Sequence, residues 1–124
     1  MTLNPTNANI TTAGAHTLTI SETLGGIITR TGPSGGFTDT LPTTSTLLAA
    51  LGADTPFRVT YINASGQTAT IAAGDASTTI AFGAGMLGAV TIATHQRCDL
   101  LFTPTGDAQS PALRVTLLNR STIV

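Results

Sequence analysis

The sequence predicts an all-β fold: an antiparallel, jelly-roll-like β-sandwich of about eight strands with one short helix at about residues 43–51. Three observations carry this prediction. Apolar and polar residues alternate in short runs such as Phe57 to Ile62 and Gln96 to Thr103, the period of a strand with one buried face. Clusters of Gly, Pro, Asn and Ser interrupt these runs at short intervals. Threonine fills 26 of the 124 positions. It is β-branched and favours strands, and its hydroxyl keeps an outer face hydrated without charge.

The same composition narrows the function classes. Charged residues are 9% of the chain and the net charge is −1, far from the charge-rich, weakly apolar composition of disordered chains. Lysine is absent, and the five cations are Arg30, Arg58, Arg97, Arg114 and Arg120. That scatter does not supply the clustered cations of a duplex-binding protein. The longest apolar run, Ile80 to Val90, is too short and too glycine-rich for a membrane span. Met1 to Gly14 lacks the charged and apolar regions of a signal peptide. One cysteine, Cys98, allows no disulfide within the chain.

Two units are expected: an extended N-terminal arm over 1–14 and a single β-sandwich domain over 15–124. The arm is rich in Thr, Asn and Ala and shows neither strand nor helix periodicity. His16 to Ile20 alternates and reads as a strand; Gly25-Gly26 breaks the chain before a strand at Ile27 to Arg30. Phe37 to Leu41 alternates again. Pro42 then changes the pattern: Thr43 is placed to cap a helix, Leu47, Leu48 and Leu51 share one helical face, and Gly52 is placed to end it in left-handed geometry. Asn63-Ala64-Ser65-Gly66 has the composition of a hairpin loop between strands at Phe57 to Ile62 and Gln67 to Ile71. Short strands follow at Thr78 to Ile80 and Ala89 to Ile92. Cys98, Leu100 and Phe102 point inward with Arg97 and Asp99 outward, and Leu113, Val115 and Leu117 oppose Arg114 and Thr116.

Two motifs imitate catalytic or cofactor signatures. Gly83 to Gly88 fits G-x-G-x-x-G, but the β-branched run Ala89 to Ile92 follows where a dinucleotide site needs a helix. Gly32 to Gly36 fits G-x-S-x-G, but a strand pattern follows where a nucleophile elbow needs a helix. His16 and His95 lack metal-ligand spacing, and the carboxylates are dispersed. No catalytic, cofactor-binding or metal-ligating residue is expected, and no cofactor; the chain is read as non-enzymatic. Interface roles are expected for some of the arginines, whose planar forks suit protein contacts; Arg58 and Arg114 are the subunit-interface candidates.

The order of elements, with the segment Phe57 to Ile71 (FRVTYINASGQTATI), resembles small jelly-roll virion proteins of tailed bacteriophages, chiefly capsid decoration or cement proteins. The likeness spans about residues 16–119 and rests on pattern and composition. It implies a structural protein on the capsid exterior that clamps the lattice through multivalent contacts, made in the host cytoplasm. The implied partners are the major capsid protein and further copies of this chain in a homotrimer, with no direct nucleic-acid or membrane contact. The alternative is a jelly-roll binding module of a tail fibre or baseplate. Along the arm, Thr2, Leu3, Asn4, Pro5, Asn7 and Asn9 are the candidates for contact with a neighbouring capsid subunit.

Overall fold

A computed structural model describes residues 6–52, 55–82, 85–87, 89–106, 110 and 112–122. The described elements run β1 (Thr6–Ile10), β2 (His16–Thr17), α1 (Ile20–Leu24), β3 (Gly26–Arg30), β4 (Phe37–Thr40), α2 (Thr44–Leu51), β5 (Phe57–Asn63), β6 (Ala69–Ala72), β7 (Thr78–Phe82), β8 (Gly85–Leu87), β9 (Ala89–Ile92), β10 (Gln96–Pro104) and β11 (Leu113–Thr122). They form a seven-stranded sheet in the order β1-β3-β5-β10-β11-β7-β8 and a four-stranded sheet in the order β2-β4-β6-β9.

Through β6 the chain visits the two sheets alternately. It lays one strand in the large sheet, crosses to the small one, and returns a full coil later. Thr6 sits beside Gly26 and Ile27 beside Thr60, both pairings parallel. The small sheet follows suit, with His16 beside Asp39 and Phe37 beside Ala69, again parallel. A coil that always returns in the same direction can only stack its strands in parallel. The helices sit at the returns, α1 between β2 and β3 and α2 between β4 and β5. From β7 onward hairpins appear, and β10 pairs antiparallel with both β5 and β11.

The architecture is thus mixed α/β, two mixed sheets with two helices, and the expected antiparallel jelly roll is wrong. Five of the nine described strand pairings are parallel. Period-two alternation reports that one face is buried; it does not report the direction of the neighbouring strand. Parallel sheets are normally covered on both faces and read as continuous apolar runs. Here β5 is half-open and alternates, burying Val59, Tyr61 and Asn63 and exposing Arg58.

Local expectations fared unevenly for identifiable reasons. The strand expected over His16 to Ile20 stops at Thr17, and Ile20–Leu24 is helical. Thr19 and Glu22 form a reciprocal capping box there, a T-x-x-E signal that the sequence carries openly. The helix expected over 43–51 is α2, but the Thr43 side chain makes no cap bond. Asp75, 31 residues after Thr44, takes that place. Its Oδ2 accepts from the Thr44 N–H at 3.0 Å and its Oδ1 from the Thr44 hydroxyl at 2.5 Å. Gly52 has a positive φ of 87° but an extended ψ of 149°, outside left-handed helical geometry, and its N–H closes the helix on the Leu48 carbonyl. Asn63-Ala64-Ser65-Gly66 is a crossing between sheets and not a hairpin, since β5 and β6 belong to different sheets. The buried Asn63 amide secures that crossing by donating to the carbonyls of Gln67, Ile92 and Ala93.

One apolar core joins the layers. Ile28, Val59, Tyr61, Ile80, Leu100, Phe102 and Val115 come from the large sheet; Phe37, Ala69, Ile71, Val90 and Ile92 come from the small one; α2 adds Leu47 and Leu48. The inward alternation expected for β10 and for Leu113 and Val115 holds.

Candidate interaction surface

The outer face of the large sheet is built by register. Phe57, Val59 and Tyr61 of β5 turn toward the core, so Arg58, Thr60 and Ile62 turn away. β10 lies between β5 and β11. Arg97 stands beside Ile62 and Ser121, Asp99 beside Thr60 and Leu118, and Leu101 beside Arg58 and Thr116. Thr103 stands beside Arg114. On the other side of β5, Ile27 neighbours Thr60 and Asn7, and Thr29 neighbours Ile62 and Asn9. Asn7, Asn9, Arg58, Arg97, Arg114 and Ser121 are exposed, so no described element covers this face. Ile62, Leu101 and Leu118 are half-buried among them.

Four of the five arginines lie on β5, β10 and β11 with one carboxylate, Asp99. These three strands carry a formal charge of +3 in a chain of −1. Asp99 accepts from the Thr60 hydroxyl at 2.8 Å and lies 3.9 Å from the Arg58 guanidinium. A bulge in the β10–β11 pairing falls between Arg97 and Asp99. Bulges re-aim side chains. Arg120, in the bulged segment, reaches the Thr91 carbonyl of β9 at 2.9 Å, bridging the two sheets. Thr60, Arg97, Asp99, Arg120 and Ser121 line an open depression of roughly 600 Å³.

The described candidates from the sequence therefore meet on one surface. Arg58 and Arg114 lie on the two strands that flank β10, beside Leu101 and Thr103. Asn7 and Asn9 lie on β1, at the edge of the same face. Thr2, Leu3, Asn4 and Pro5 lie outside the described residues. Ile62, Leu101 and Leu118 were not legible as members of this face, because strand order brings them together and spacing does not reveal strand order. Of the arm, residues 6–10 form a strand of the chain's own sheet.

A second polar cluster is buried at the return between coils. The Arg30 Nε donates to both Asp39 oxygens, at 3.1 and 3.0 Å, and the Tyr61 hydroxyl donates to Asp39 Oδ2 at 2.6 Å. Arg30 Nη1 donates to the Thr12 carbonyl at 2.7 Å, Nη2 donates to the Gly14 carbonyl, and the guanidinium lies 4.6 Å from the centre of the Phe37 ring. All three side chains are fully buried. Burial, with the adjacent Asp39 carboxylate, pushes the Tyr61 phenol far above its ordinary range. The cluster ties β3, β4 and β5 to the loop after β1. Its donors and acceptors are engaged with one another, which suits structural work.

The catalytic look-alikes sit in other settings. Residues 85–87 of the Gly83 to Gly88 motif are strand β8, followed by strand β9. Gly32 to Gly36 joins β3 to β4. His16 pairs with Glu22 at 3.0 Å, His95 lies in a turn, and Cys98 is buried in the core. Among the described residues no three His, Cys, Asp or Glu side chains gather as metal ligands would. Comparison of the chain with protein-family models, with curated proteins and with solved structures finds no match.

Proposed function

We propose that this chain is a non-enzymatic structural protein that docks on a larger assembly through the outer face of its seven-stranded sheet. The assembly expected from the sequence is the exterior of a virion capsid, with the chain as decoration protein on the major capsid protein. The jelly-roll likeness lends this no support, because the fold differs. The support is physical. One open face combines exposed arginines with half-buried Ile62, Leu101 and Leu118 and otherwise mostly uncharged polar residues. Arginine with apolar side chains, at low charge density, is the composition of a protein interface. Threonine and asparagine on such a face are cheaper to desolvate than ions. Weak contacts repeated over several copies then sum to a long-lived clamp, and a chain that binds only the mature lattice stabilises it by mass action.

The test is occupancy. Recombinant chain is added to particles lacking it, and bound copies are counted by quantitative mass spectrometry. Stoichiometric, saturable binding is expected, and Leu101→Glu, which places a charge in the middle of the face, abolishes it. Absence of binding by the wild-type chain, or full binding by the variant, overturns the proposal. A handful of copies per virion would move the site to the tail.

A further inference from the structure

We infer that the outer face of β5, β10 and β11 is shaped to receive an acidic protein surface, with partner carboxylates seated at the Arg97 depression. This deepens the docking proposal and rests on it for the choice of face. The observation is an asymmetry of charge. The chain as a whole is slightly acidic, at −1, yet these three strands hold every arginine except the buried Arg30. Arg58, Arg97 and Arg114 are all exposed there. Asp99, the single carboxylate on these strands, is already drawn to the Thr60 hydroxyl and toward Arg58. Arginine forks take carboxylates bidentately, and Ser121 beside Arg97 adds a hydroxyl donor.

Two other occupants fit less well. A second copy docking by the same face would set Arg58, Arg97 and Arg114, with Asp99, against themselves, a net +2 against +2, and like charge facing like charge across an interface costs several kcal/mol. A nucleic acid would meet few cations and, among the described residues of this face, no aromatic side chain on which to stack a base. A protein surface carrying two or three carboxylates around an apolar centre matches both the arginines and Ile62, Leu101 and Leu118.

The experiment uses the full chain and three labelled probes of similar length: hexaglutamate, hexalysine and a short DNA duplex, followed by fluorescence anisotropy. Hexaglutamate is expected to bind at low salt, to weaken about tenfold toward 0.3 M salt as screening shortens the reach of the arginines, and to weaken about tenfold in Arg58→Gln/Arg97→Gln/Arg114→Gln. The peptide assay contains no particles and reads the arginines directly. Failure of the capsid reading alone therefore leaves the peptide result standing. Equal binding of hexalysine, no loss in the triple variant, or tighter binding of the duplex than of hexaglutamate each overturns the inference. So does a dimer of the wild-type chain in sedimentation that the triple variant dissolves.

Discussion

Replacing Asp39 by Asn tests whether the buried Arg30–Asp39–Tyr61 cluster holds the coils together. Arg30 keeps the carbonyls of Thr12, Thr31 and Gly14 as acceptors but loses the carboxylate it is paired with. Removing one partner of a fully buried ion pair costs about 3–5 kcal/mol, a large share of the roughly 5–15 kcal/mol that stabilises a typical domain. With a urea dependence near 2 kcal/mol per molar, the unfolding midpoint falls by roughly 2 M. Tyr61→Phe removes one hydrogen bond to the carboxylate and costs about 1.5–3 kcal/mol. The double replacement Arg30→Met/Asp39→Leu removes both charges at once, so its cost falls short of the summed single losses by about 2 kcal/mol or more. Urea titration followed by far-UV circular dichroism measures the wild type, these variants, and the single replacements Arg30→Met and Asp39→Leu that complete the cycle. A midpoint shift under about 0.5 M for Asp39→Asn, or strict additivity in the cycle, refutes the reasoning.

Two further outcomes follow from single groups. Hydrogen bonds from the Thr44 side chain, and then from backbone N–H groups including that of Thr44, outweigh the opposing effect of burial and hold the Asp75 carboxyl below its ordinary 3.8. Its contribution to stability is therefore complete above pH 4 and is lost as the pH falls through the lowered native value; Asp75→Ala costs about 1 kcal/mol at neutral pH and flattens the acid limb of the stability profile, and an unchanged acid limb would contradict the cap. Cys98 is buried in the core, and burial pushes its thiol up to about 12; iodoacetamide at pH 8 is expected to label it only in urea, and rapid labelling of the native chain would contradict its placement.

The arm also needs a different test from simple truncation. Deleting residues 2–12 would remove β1, the core residue Ile10 and the Thr12 carbonyl that Arg30 holds. Loss of binding would then report loss of fold. Asn9→Arg changes an exposed side chain of β1 without touching these contacts.

The sequence by itself determined which residues face inward. Val59 and Tyr61, Cys98, Leu100 and Phe102, and Leu113 and Val115 all follow from alternation, because a pleat has a period of two whatever lies beside it. It also located α2 and the exposed positions of Arg58 and Arg114. Tertiary structure decided everything that depends on what lies next to what. Whether strands run parallel is set by the path between sheets. Asn63 to Gly66 has turn composition whether the chain folds back or crosses over. The cap of α2 comes from Asp75, and the counter-charge of Arg30 comes from Asp39 on the opposite sheet; these partners meet only in three dimensions. The docking face belongs to the same class: its arginines are dispersed from 58 to 120 in sequence, and they become one basic surface only because β10 is laid between β5 and β11.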